Sequence, residues 1–260
     1  MSPAELYVNG IKKKLCLYHA AWLPNTKLRL GDVGVLKDNF FQPVCNLKDM
    51  NIAFQELPDN SPSNLDIVSD QGVSITFKAA GQTNSSVPNV PTAEAGVAVE
   101  FGSQGAFLIQ ASDVFQPSIA DIAKLEVDVL NAYKQGTWTL EWAVIVRLVC
   151  TSNAMILVSQ SSSAKLEMSA SGNIPTGGIK LADANIKLTV LHQSGDLVRV
   201  DPAVSVTPLF QLARIHRRWP IGGTSVRLEK ALSGTMAKLT PDLARSDPRV
   251  AQSLSLDLVP

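Results

Sequence analysis

Three short segments between Gly72 and Ser112 alternate apolar and polar residues, and this constrains the fold more than any other feature of the chain. Val73, Ile75 and Phe77 alternate with Ser74, Thr76 and Lys78, and a tract rich in Gly, Ser, Pro and Asn follows from Gly81 to Pro91. Val97, Val99 and Phe101 then alternate with Ala98 and Glu100, and Phe107 and Ile109 with Leu108 and Gln110. A period of two puts successive side chains on opposite faces of a strand. Such strands sit half-buried in a water-soluble sheet, or line a barrel wall with lipid outside and water inside.

The 260 residues suffice for one large domain or two small ones. Basic and acidic residues balance at 23 each, which removes the basic surplus of a typical nucleic-acid binder. Only 18% of the residues are charged and 45% are hydrophobic, a composition suited to strands buried on both sides and to proteins that meet a membrane. Cys16, Cys45 and Cys150 lie far apart with apolar neighbours and no metal-ligand spacing, so three reduced, buried thiols in a cytosolic protein are expected. Met1-Ser2-Pro3-Ala4-Glu5 has neither a basic n-region nor a long apolar run, so no signal peptide is expected. No stretch approaches the ~20 apolar residues of a membrane-spanning helix.

Along the chain, Asn9-Gly10 predicts a hairpin turn, against a competing helix over Pro3 to Tyr18 in which Gly10 costs ~1 kcal/mol; the hairpin is favoured. Strands are expected over Leu28 to Leu36 and Phe40 to Leu47, with a turn at Asp38-Asn39. A helix is predicted over Ser118 to Gln135, capped by Ser118 with Asp121, striped by Ile122, Leu125, Val129 and Ala132 or Tyr133, and ended by Gly136. The β-branched run Glu141 to Cys150 turns at Thr151-Ser152-Asn153 into Ala154 to Gln160, read as its antiparallel partner. Lys165 to Ser169 and Ile186 to Val190 alternate again, and a short helix is predicted over Ser225 to Leu239. The fold class expected is α+β, a twisted, mainly antiparallel sheet with one long central helix and shorter helices near the termini. Residues 1–222 form the principal domain and 223–260 a C-terminal helix or tail.

Catalytic chemistry is hard to assemble from these residues. His19, His192 and His216 have no nucleophile or metal-ligand motif beside them. No G-x-S-x-G elbow, phosphate-binding loop or H-E-x-x-H helix occurs, and the carboxylates are scattered singly. No enzyme, no cofactor and no metal site is expected. Two basic groups stand out instead: Lys12, Lys13 and Lys14, and Arg214, Arg217 and Arg218, with Trp22 and Trp219 nearby. Basic residues at a surface contribute ~1 kcal/mol each toward anionic lipid, and indole rings settle at headgroup depth.

The order of elements, an alternating strand, a polar hinge, a second alternating strand, a helix and a β-branched hairpin, resembles the pore-forming domain of gasdermins. Trp142-Ala143-Val144-Ile145-Val146-Arg147-Leu148-Val149 looks like that family's strand after a helix, and Asn185 to Leu212 repeats a strand, a Ser-Gly turn and a returning apolar segment. The resemblance covers residues 65 to 215, and single-domain members from bacteria and fungi are similar in length. Two features depart from it: bacterial members carry a lipidated cysteine near the start, whereas the first cysteine here is Cys16, and a basic amphipathic first helix is expected where Asn9-Gly10 reads as a turn.

The resemblance implies a protein made in the cytoplasm that binds anionic phospholipid, oligomerises with itself or related chains and permeabilises the membrane in cell death or defence. It implies that Lys12, Lys13, Lys14, Arg214, Arg217 and Arg218 touch lipid. The inserting residues would be Val73, Ile75, Phe77, Val97, Val99, Phe101, Leu166, Met168, Ile186, Leu188 and Val190, on strand pairs built from 72 to 112 and from 142 to 192. A protease or partner protein would activate it, with the tail as inhibitor. The alternative is a β-rich cytosolic binding or assembly module without membrane activity.

Overall fold

The computed structural model of the protein describes residues 1–172, 179, 181–183, 185–200, 205–217 and 254–259. Its first element is a helix, α1 (Pro3–Leu15), so the hairpin expected at Asn9-Gly10 does not form. Ser2 caps α1: its Oγ accepts the Glu5 N–H, and the Glu5 carboxylate accepts the Ser2 N–H at 2.6 Å. Ser2-Pro3-Ala4-Glu5 is thus a capping box with proline in the first turn, and Lys12, Lys13 and Lys14 complement the dipole in the last. Tyr7, Val8 and Ile11 are buried. At ~1.5–3 kcal/mol each, their burial outweighs the ~1 kcal/mol that Gly10 costs the helix.

The strands that follow are β1 (His19–Ala20), β2 (Asp32–Lys37), β3 (Phe40–Asn46), β4 (Glu56–Leu57), β5 (Ser63–Val68), β6 (Val73–Lys78), β7 (Ala95–Phe101), β8 (Phe107–Val114) and β9 (Ser118–Ile119). Helix α2 (Ile122–Lys134) comes next. After it lie β10 (Trp142–Thr151), β11 (Asn153–Ser159), β12 (Ala164–Gly172), β13 (Ile186–Ser194), β14 (Leu197–Val200), β15 (Val206–Arg217) and β16 (Leu254–Leu258). Asp38 and Asn39, both at positive φ, make the tight turn between β2 and β3.

These strands build three antiparallel sheets. The first runs β1-β15-β10-β2-β3, with β16 on β15 and the short β9 and β4 beyond β10. The second runs β14-β11-β8-β5 and the third β13-β12-β7-β6. The expected α+β class, with one long central helix and shorter terminal ones, is therefore overturned: the protein is mostly β, and the described residues hold two α-helices of 13 residues each. Local helix signals at α2 were sound, but that helix covers part of one sheet while most of the core is sheet on sheet.

The limits of α2 also shift. Asp121, not Ser118, is its N-cap and accepts the Lys124 N–H at 2.8 Å. Ser118 and Ile119 are strand, with Ser118 opposite Arg147, and Ile122 stays exposed. Leu125, Val129, Ala132 and Tyr133 join Val144, Ile145 and Leu212 in one core. Gly136, at φ +80°, ends the helix in the left-handed conformation that lacks a Cβ penalty.

Nor do Trp142–Thr151 and Asn153–Ser159 form a hairpin. β10 pairs with β15, β2 and β9, whereas β11 pairs with β8 and β14. The chain changes sheets at Ser152, where the Thr151 hydroxyl donates to the Ser112 carbonyl and accepts the Asn153 N–H. The second sheet is covered on both faces. Phe107, Ile109, Ile156 and Val158 pack with Tyr7, Val8 and Ile11 of α1, while Leu108, Met155 and Leu157 pack with the third sheet. Strands covered on both sides read as continuous apolar runs, as β11 does.

Candidate functional site: a two-faced sheet and the strap across it

The third sheet gathers all eleven residues that the sequence marks as membrane-inserting. Val73, Ile75 and Phe77 lie on β6, opposite Phe101, Val99 and Val97 of β7. Leu166 and Met168 of β12 lie opposite Val99 and Val97 on the other side. Ile186, Leu188 and Val190 of β13 face Gly172, Ala170 and Met168. The pairing corrects the segments expected to build the hairpins: β8 and β11 belong to the second sheet and β10 to the first, so the two hairpins are β6–β7 and β12–β13.

These apolar side chains point one way. Val97, Val99, Phe101, Leu166, Met168 and Ile186 are buried against Leu108, Met155 and Leu157. Val73, Ile75, Leu188 and Val190 are half-buried toward the edges, and Phe77, at the end of β6, is 44% exposed. Alternation sends Ser74, Thr76, Lys78, Glu100, Lys165, Glu167, Ser169, Lys187 and Thr189 to the opposite face. One face is mainly apolar, with Gln193 set opposite Leu166 beyond the bulge in β13, and the other is mainly polar, with Gly96 and Ala98 among its charged and hydroxyl side chains.

Residues 79–94, which contain the polar hinge expected over Gly81 to Pro91, do not hang free. They fold back as a strap over the polar face. Lys78, only 3% exposed, donates from Nζ to the carbonyls of Pro91 at 2.6 Å and Glu94 at 2.7 Å. Glu167, 1% exposed, accepts the backbone N–H and the side-chain amide of Asn89, both at 3.0 Å. Lys165 donates to the Ser86 carbonyl at 2.8 Å and pairs with Glu167 at 2.9 Å and Glu100 at 3.1 Å. Burial pushes the Glu167 carboxyl up, but the bonds from Lys165 and Asn89 outweigh it and hold the group below the usual carboxylate range. Val87 and Val90 close a small apolar cluster on Ala98. Gly96 lets Val90 approach, since a Cβ there would stand 2.7 Å from its Cγ2. Sequence reading missed Lys78, Asn89 and Glu167; the valines set among prolines in Val87-Pro88-Asn89-Val90-Pro91 were the available signal.

The basic residues divide. Lys13 and Lys14 approach Asp70 at 3.8 and 2.9 Å. Lys12 turns toward the β2–β3 turn: its Nζ donates to the side-chain Oδ1 of Asn39 at 3.4 Å. Burial, and then the charge of Arg214, lower its pKa. Arg214 donates from Nε to His216 Nε2 at 3.1 Å. Beneath them, buried His19 stacks on Phe210 and lies 3.3 Å from the Val259 carbonyl. Burial, then Lys12 and, more weakly, Arg214 bring its pKa down to about 4, against an opposing bond from Val259. Arg217 ends β15 opposite Leu254, and Arg218 lies outside the described residues, as does the helix expected over Ser225 to Leu239.

Among the described residues no three His, Cys, Asp or Glu side chains come together in a metal-binding group. The three thiols expected to be buried are not: Cys16, just past the end of α1, is exposed, and Cys45 and Cys150 are half-buried, enough for desolvation to raise their pKa. No helix among them is long and apolar enough to cross a membrane, a finding that does not bear on strands. In comparisons with known proteins, no family model matches this sequence, and no curated protein matches it either.

Proposed function

We propose that this chain is a pore-forming protein that binds anionic membrane, oligomerises and inserts strands. The third sheet carries the reading: two adjacent antiparallel hairpins share one mainly apolar face and one mainly polar face, the division a barrel wall needs between lipid and water. Its outer strands, β6 and β13, end the sheet on either side, so a second copy has ladder groups to pair with. Closure of such pairs into a ring satisfies every strand edge, which lipid cannot do. Lys12 and Arg214, cations with no ion-pair partner among the described side chains, supply the contact for lipid phosphate, and the charge of Arg214 is felt at Lys12.

The chain is made in the cytoplasm and reaches the membrane on activation, where it acts in cell death or defence. The tail is the restraint. β16 occupies the edge of β15 from Ala213 to Arg217, and Leu256 and Val259 are buried in the first core. A protease or partner that removes this strand uncovers the edge beside Lys12 and Arg214.

The test is dye release from vesicles of phosphatidylcholine with and without phosphatidylserine, using full-length protein before and after limited proteolysis of the tail. Release from the anionic vesicles after cleavage is the expected result. No release under any of these conditions overturns the reading. It would favour a β-rich binding or assembly module, which the complete burial of Val97 and Val99 also suits.

A further inference from the structure

We propose that residues 79–94 are a latch, held across the third sheet by Glu167, Lys165 and Lys78, whose release sets the rate at which the β6–β7 hairpin lengthens for insertion. This rests on the pore-forming reading above. β12 and β13 have 9 residues each, but β6 has 6 and β7 has 7, short of the ~9–11 that cross a bilayer. The missing length lies in the strap. Continuing the register of Lys78 opposite Gly96 sets Ala80 against Glu94, Gln82 against Thr92 and Asn84 against Val90. The lipid side then receives Ala79, Gly81, Thr83, Pro91, Ala93 and Ala95, none of them charged, and the water side receives Ala80, Gln82, Asn84, Val90, Thr92 and Glu94.

In the folded protein that continuation is interrupted. Gly81 donates to the Thr92 carbonyl, one residue out of step with the ladder. Beyond it the strap turns onto the polar face, where three of the charged side chains that would face the water-filled interior, Lys78, Lys165 and Glu167, are its anchors. Glu167 is the central one, because it is almost wholly buried and the strap supplies both an N–H and an amide to it. An extended hairpin cannot keep these bonds. Val90 and Gly96 touch across the fold-back, yet along one extended strand they would stand ~20 Å apart.

Glu167→Gln keeps the shape and removes the charge. Hydrogen exchange of the amides in 79–94 should rise about tenfold, the scale of a lost charge-assisted bond, with exchange elsewhere unchanged. Dye release from phosphatidylserine vesicles by the tail-cleaved protein should accelerate by a similar factor. If Glu167→Gln fails to fold, the pair Val90→Cys and Gly96→Cys answers the same question: the oxidised form should not release dye, and dithiothreitol should restore release. Equal release by wild type and Glu167→Gln, or release by the cross-linked form, overturns the latch while leaving pore formation standing. No release by any form, wild type included, overturns the pore-forming reading and the latch with it.

Discussion

Gly10 of α1 rests against the ring of Phe107 on β8: a Cβ at position 10 would stand 2.7 Å from Phe107 Cε1. The ring is buried and meets Tyr7 edge-on with centroids 5.3 Å apart, so it has little room to yield. Gly10→Ala gains ~1 kcal/mol of helix propensity but overpacks this contact at a cost of ~1–3 kcal/mol. Urea denaturation should show a net loss of stability, whereas an exposed helical glycine would show a gain.

Charges placed at Val99 and at Ile75 should separate packing from insertion. Val99 is fully buried between two sheets, and Val99→Glu should cost about 4 kcal/mol and unfold most of the protein. Ile75 lies on the edge strand and is only half-buried, so Ile75→Glu should cost ~1–2 kcal/mol. It should leave the circular-dichroism spectrum intact while abolishing dye release.

Stability should fall as pH drops below the histidine range. His19 is held neutral, with a pKa of about 4 in the fold against ~6.5 in the unfolded chain. The unfolded state therefore takes up a proton first. Its contribution is full above pH 6.5, declines between pH 6.5 and 4, and totals about 3 kcal/mol. Thermal melts of His19→Gln over that window should show a shallower decline than wild type.

Vesicle binding should depend unequally on the basic residues. Lys12→Gln and Arg214→Gln should each weaken binding to phosphatidylserine vesicles about fivefold, the equivalent of ~1 kcal/mol per cation. Lys13→Gln and Lys14→Gln should matter less, because Asp70 already offsets their charge. Co-sedimentation at low and physiological salt measures the difference.

What could be read from the sequence depended on how many faces of a strand are covered. β6, β7, β12 and β13 each pair an apolar face with a polar one, so their alternation was visible, and the eleven residues chosen from it share one sheet. β8 and β11 are covered on both sides, and their nearly unbroken apolar runs say nothing about partners. Glu141 to Gln160 reads as a hairpin because nothing local marks the change of sheet at Ser152. At the N-terminus two local signals competed, Asn9-Gly10 for a turn and Ser2 with Glu5 for a capped helix; contact with Phe107, far along the chain, decided between them. The strap was hidden for the same reason. Asn89 and Glu167 are 78 positions apart, and Glu167 in an alternating strand reads as solvent-exposed.

The second sheet is a floor shared by two rooms. Its upper side, with Leu108, Met155 and Leu157, is roofed by the strands proposed to depart. Were that roof lifted in bulk water, two oily surfaces would be bared at once, each square ångström costing ~25 cal/mol. Beside a bilayer, acyl chains take up one of them. Premature opening is thus self-penalising, and proximity to lipid becomes part of the trigger.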